Sequence, residues 1–229
     1  MSYYTEIGFK IAIDNTARDG VNYVRVPNIN NIGREESTIC FFYRADELLT
    51  SYGTVFHLIS NDGGHTANIT FGVRSDGYRI TVPNAIRKTI EVSFIAFHRS
   101  MERPVCIAWS VEKRHVRVHF NGNTSHYDDI IRNMPTATPS QTKPTATLLL
   151  GTEAEMTYPQ DGGTVAARTD TKYTGDISYM LIYDRMLRNT EMSDYTGKRW
   201  PDDDSLVFRW NMANFRDYFH GNISVHLIK

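Results

Sequence analysis

Ile39-Cys40-Phe41-Phe42-Tyr43 and its distant counterpart Val105-Cys106-Ile107-Ala108-Trp109 are short runs of apolar, aromatic and β-branched residues bounded by polar segments. Strands buried in a sheet core read this way, so both runs are predicted to be central strands. The chain's two cysteines sit at matching places, one in each run. The simplest account lays the runs side by side with Cys40 bonded to Cys106. A bridge closing so long a loop restricts the unfolded chain by about 4 kcal/mol in the loop-entropy account. The alternative is two buried free thiols in a cytosolic protein, since cysteine is among the most buried residue types.

At 229 residues the chain is long enough for one large core, and a single domain over residues 1–229 is expected. The formal net charge is -1, so bulk electrostatics draws the protein neither to nucleic acid nor to an anionic membrane. No uninterrupted apolar stretch reaches the length of a membrane span, so membrane insertion is not expected. Met1-Ser2-Tyr3-Tyr4-Thr5-Glu6 lacks the basic head and apolar run of a secretory signal. The sequons at Asn68-Ile69-Thr70, Asn123-Thr124-Ser125 and Asn222-Ile223-Ser224 fit a secreted chain. A secreted or extracellular setting is expected, with a cytosolic one left open.

Outward from the two runs the chain is strand-rich. Alternating or β-branched segments are read at 7–13, 23–26, 52–59, 67–73, 78–82, 89–98, 147–151, 175–187, 206–210 and 223–228, separated by Gly, Asn, Asp and Pro turns. In His115-Val116-Arg117-Val118-His119-Phe120, the valines and the phenylalanine take one face and His115, Arg117 and His119 the other. Such a stripe could hold an anion below about pH 6.5; a solvated outer sheet face gives the same pattern and is the reading adopted. A brief helix is expected at 189–195, with Asn189 as its cap.

In this order the segments resemble the pentraxins and their wider laminin-G-like and concanavalin A-like relatives. The resemblance rests on the cysteine pair, Cys106-Ile107-Ala108-Trp109, Phe120-Asn121-Gly122, Leu150-Gly151-Thr152-Glu153, Gly175-Asp176-Ile177 running into Tyr183-Asp184-Arg185-Met186-Leu187, and the late Phe208-Arg209-Trp210. It implies an all-β fold, a two-sheet antiparallel jelly-roll sandwich with one short helix.

It also implies a ligand face with two calcium ions held by carboxylates and amides of separated loops, because calcium takes several oxygen ligands. Glu153 matches the family's glutamate, Glu155 stands where an aspartate is expected, and Ala154 replaces a glutamine. Arg168 and Thr171 fall where a glutamate and a glutamine belong, with Asp161 or Asp170 as substitutes. In the early loop His65-Thr66 replaces an Asp-Asn pair, and Asn61-Asp62 are near enough to compensate. The tentative calcium set is therefore Asn61, Asp62, Glu153, Glu155, Asp161 and Asp170, with Asn61, Asp62, Glu153 and Glu155 also expected to meet ligand. Phe71 matches the apolar wall of the family's phosphocholine pocket, but Ile86 stands where a choline-facing residue belongs, which disfavours that ligand.

The expected function is a non-catalytic recognition protein that binds glycans or other surface ligands through edge loops, with calcium as a tentative cofactor and avidity from a homo-oligomer. The alternative is an adhesion or structural module, a receptor ectodomain or surface spike, that contacts a partner protein without calcium. A more remote alternative is a glycoside hydrolase, since Glu153 and Glu155 have the spacing of two strand-borne carboxylates. Gly151 and Pro159 suggest a loop instead, and there is no Gly-x-Ser-x-Gly, phosphate loop or metal-ligand histidine spacing.

Overall fold

The computed structural model describes residues 9–16, 20–30, 32, 36–45, 51–60, 68–74, 76–82, 88–93, 101–110, 113–128, 145–154, 167–210 and 218–228. Strands are numbered in chain order. One sheet holds β1 (Phe9–Ile13), β3 (Glu36–Ala45), β8 (Arg103–Ser110), β9 (His115–Phe120), β10 (Asn123–Asp128), β12 (Gly175–Tyr183), β13 (Leu206–Arg209) and β15 (Ile223–Leu227). The other holds β2 (Tyr23–Ile29), β4 (Gly53–Ser60), β5 (Asn68–Arg74), β6 (Gly77–Val82), β7 (Lys88–Ser93), β11 (Ala146–Leu150) and β14 (Phe219–His220). The orders are β10-β9-β8-β3-β12-β1-β15, with β13 also on β12, and β14-β2-β11-β4-β5-β6-β7. This is the two-sheet antiparallel jelly-roll sandwich, with one short helix, α1 (Asn189–Thr196).

The two cysteine runs are central strands covered on both faces. Ile39, Phe41 and Tyr43 of β3, with Val105, Ile107 and Trp109 of β8, point into the core between the sheets. Cys40, Phe42, Cys106 and Ala108 point the other way, into a second core roofed by Met192 and Tyr195 of α1 and by Trp200. Two apolar environments on opposite sides of one strand explain why these runs show no polar alternation. Cys40 is directly opposite Cys106 in the β3–β8 register, and the two are disulfide-bonded.

Two local expectations change. The helix is entered from Arg188, not Asn189: Glu191 reaches back to accept the Arg188 backbone N–H at 2.7 Å and pairs with the Arg185 and Arg188 guanidiniums. Burial works against charge on Glu191, but these partners outweigh it and hold its carboxyl down at about 2. The histidine stripe is not uniformly solvated either. His119 is only 2% exposed, with its Nδ1 2.8 Å from the Oγ1 of Thr124, its cross-strand partner on β10.

Two glycines of the sequence motifs set how the chain leaves and re-enters the sheets. At Gly175 (φ +151°) a Cβ would lie 2.1 Å from the Arg44 carbonyl oxygen and 2.5 Å from the Tyr173 hydroxyl, so no side chain fits. At Gly151 (φ +95°) the chain turns off β11 in a conformation that L side chains rarely adopt. Beyond that turn lies Glu153.

Candidate functional site

The site is built on the outward face of the seven-stranded sheet. Alternation along β5 sends Ile69, Phe71 and Val73 into the core and Thr70, Gly72 and Arg74 outward. Gly72 is opposite Thr54 of β4 on one side and Arg79 of β6 on the other, and Arg79 is opposite Glu91 of β7. Tyr52 lies against Gly72, where a Cβ would be 3.5 Å from the Tyr52 Cβ, at ordinary contact distance. Over the Tyr52 ring stand the guanidiniums of Arg79, 4.0 Å from the centroid, and Arg74, 4.7 Å from it. Arg79 Nε donates to Glu91 at 2.9 Å, and Arg74 Nε donates to Asp76.

The second wall is the turn after β11. Gly151 N–H donates to the Val55 carbonyl at 3.0 Å, and Ala154 bridges to Ala167, so residues 151–154 and 167–171 run together beside β4. Glu153 is fixed through its backbone and its side chain. Its carbonyl accepts from Arg168 N–H at 2.8 Å and its N–H donates to Thr171 Oγ1 at 3.1 Å. Thr54 Oγ1 donates to its Oε1 at 3.1 Å, while Arg168 Nη1 donates to its Oε2 at 3.3 Å. The same guanidinium donates from Nε to Asp170 Oδ1 at 2.9 Å, and its hydrogen bonds hold the Asp170 carboxyl below the usual range. Beneath the turn, the buried His57 accepts the Ala154 N–H on Nδ1 at 3.0 Å. Burial, with the Arg168 charge as a second cause, pushes the His57 imidazole down to about 4.

Between these walls is a cleft of about 380 Å³, lined by Tyr52, Thr54, Thr70, Arg74, Arg79, Glu153, Arg168 and Asp170 among others. It joins one aromatic ring, three guanidiniums, two carboxylates and several hydroxyls.

Of the residues expected from sequence, Glu153 and Asp170 are brought together, and Arg168 is what joins them. Asn61, Asp62, Glu155 and Asp161 lie outside the described residues. Phe71 is a correction. It is 0% exposed and packs against Phe41, Tyr43, Phe56 and Tyr78 in the inter-sheet core, so it cannot wall a ligand pocket. Its parity with Ile69 and Val73 is the sequence signal that places it there. The described residues do not fit calcium. The carboxylate oxygens of Glu153 and Asp170 already accept from Arg168 and Thr54, where a calcium ion needs about six to eight oxygens turned toward it. Among the described residues no group of three or more His, Cys, Asp or Glu side chains converges as a metal site. Tyr52, Arg74 and Arg79 went unnoticed in the sequence, because arginines at alternate strand positions read as an ordinary wet face.

No family profile matches the chain. No curated protein sequence matches it either. Similar solved structures do exist. A native heptameric SAP-like pentraxin from Limulus polyphemus superposes with a TM-score of 0.70 at 16% identity, over 96% of this chain and 94% of that one. A putative carbohydrate binding protein from Bacteroides ovatus gives 0.59 at 10% identity, over 98% of this chain and 61% of that one. The CBM40 of the Ruminococcus gnavus IT-sialidase, bound to α2,3-sialyllactose, gives 0.50 at 16% identity, over 76% of this chain and 98% of that one. The fold of this chain is thus that of the pentraxin jelly roll.

Proposed function

We propose that this chain is a non-catalytic recognition module whose cleft on the outer face of the seven-stranded sheet binds glycans. The observation that carries the reading is the cleft itself: hydroxyls, guanidiniums and a ring are gathered on rigid strands, with Glu153 fixed through both backbone and side chain. Sugar recognition needs many directed donors and acceptors held in place before the ligand arrives. Fold likeness to a putative carbohydrate binding protein supports the reading as analogy. A glycan array tests it: a signal from the wild type that falls at least tenfold in Glu153→Ala is expected, and an array without signal overturns it. Calcium has no part in this reading, because Arg168 supplies the cation between Glu153 and Asp170. The melting temperature in millimolar calcium and in chelator is expected to be the same, since only a ligand of the folded state raises it.

A second reading, an adhesion or structural module without calcium, is favoured by one observation. Two carboxylates of the expected ligand set, Glu153 and Asp170, are paired with an arginine of the same chain. Binding of a partner protein by a variant blind to glycans would support it.

The remaining parts of the proposal are a secreted setting and a homo-oligomer. The Cys40–Cys106 disulfide supports an oxidising compartment. The edge strand β15 supports self-association, because Leu227 is 65% exposed there beside Val225. Light scattering on the wild type and on Leu227→Lys tests this: a multiple of the chain mass for the first and a smaller species for the second.

A further inference from the structure

We infer that the sugar bound in the cleft carries a carboxylate, read by Arg74 and Arg79. This inference rests on the glycan-binding reading and names the class of ligand.

Charge placement comes first. The lining holds three guanidiniums against two carboxylates. Both carboxylates, Glu153 and Asp170, are engaged by Arg168. The acids that hold Arg74 and Arg79, Asp76 and Glu91, stand outside the lining. They are also 55% and 47% exposed, so water screens them and exposed pairs of this kind bind weakly. What faces the cleft from the sheet side is therefore a pair of cations. A neutral sugar gives such a pair no counter-charge, and a cationic ligand is repelled by it.

Geometry comes second. Each guanidinium is anchored through its Nε edge, Arg79 on Glu91 and Arg74 on Asp76, and both lie over the Tyr52 ring. A planar fork fixed along one edge and on one face loses little freedom when it meets a carboxylate, which arginine recognises through two parallel N–H donors. Thr70 lines the same cleft and adds a hydroxyl to it. The volume, about 380 Å³, is near the lower end of ligand pockets and suits one terminal sugar unit better than a run of them.

The test compares oligosaccharides ending in sialic or glucuronic acid with the same compounds reduced at the carboxylate to an alcohol, and with sulfated neutral sugars, by calorimetry in chelator. The acidic sugars are expected to bind at least tenfold more tightly than the reduced ones. That affinity should fall as salt is raised from low to physiological strength and be indifferent to chelator. Arg79→Gln and Arg74→Gln should each lose tenfold or more with melting temperatures within a few degrees of wild type. Arg79→Lys, which keeps charge without the fork, should not restore binding. Equal affinity for acidic and reduced sugars, or binding confined to sulfated ones, overturns this inference while leaving the glycan reading intact. Binding of none of them sinks both.

Discussion

Each sheet of the sandwich has an outward face, and the two faces have opposite fates. On the eight-stranded sheet the outward residues Cys40, Phe42, Cys106 and Leu181 are apolar, and α1 with Trp200 covers them. On the seven-stranded sheet the outward residues of β4, β5 and β6 include Thr54, Thr70, Gly72, Arg74 and Arg79, and this face borders the cleft. The contrast follows from the side chains alone. An apolar outward face is stable only when something covers it, whereas a face of hydroxyls and guanidiniums stays hydrated until a ligand displaces the water. Stability is thus expected to reside under the helix and recognition on the opposite side.

Substitutions can break that division, beginning with the covered face. Replacing both Cys40 and Cys106 by Ala is expected to cost about 4 kcal/mol of unfolding free energy, measured by denaturant titration, with glycan affinity at low temperature unchanged. Next is Glu191→Ala, which leaves Arg185 and the first turn of the helix without their buried acceptor, at a cost of about 3 kcal/mol. Because the folded carboxyl titrates at about 2, below its unfolded value, the Glu191 contribution is complete above about pH 4.5 and is lost as pH falls toward 2. Melting scans over that range should show the wild type losing the advantage it holds over the variant.

The cleft side gives differently shaped effects, the first comparable in size and the second much smaller. His57 titrates at about 4 when folded and near 6.5 when unfolded, so its contribution is whole above pH 6.5 and declines as pH falls through 4. The decline, about 3 kcal/mol for a shift of this size, should vanish in His57→Gln, and because His57 holds the Ala154 N–H, glycan binding should weaken over the same acidic range. The smallest change is expected from Arg168→Gln, under about 1 kcal/mol in stability since its ion pairs are partly exposed. Its effect should instead be on affinity, which calorimetry would register. A loss of stability comparable to that of Glu191→Ala would erase the distinction between the two faces.

The covered face was the more legible of the two. Unbroken apolar runs at Ile39–Tyr43 and Val105–Trp109 read as interior strands, and of the two accounts of their cysteines the disulfide is the one that matches the observed register. The Asn121-Gly122 turn was visible because both residues take positive φ, which that dipeptide favours. The strand after it, Asn123–Asp128, was not, because a polar edge strand carries no periodic apolar signal. The cleft was harder to read for a related reason. Its members come from 51–54, 70–79, Glu153 and 168–171, and nothing local to Arg168 reveals that Ala154 and Ala167 bridge and so aim its guanidinium at Glu153. Arg168 stands in the sequence where a metal ligand belongs; only the long-range pairing shows that its guanidinium joins Glu153 to Asp170.

The sulfur bridge has a kinetic corollary. Both cysteines are sealed beneath α1, and thiol exchange requires the attacking thiolate to reach a sulfur atom. A small reductant must therefore wait for the helix to lift, so its reaction rate becomes a clock for that local opening. Timed beside amide exchange in Asn189–Thr196, the two clocks should tick together if the helix detaches as one unit.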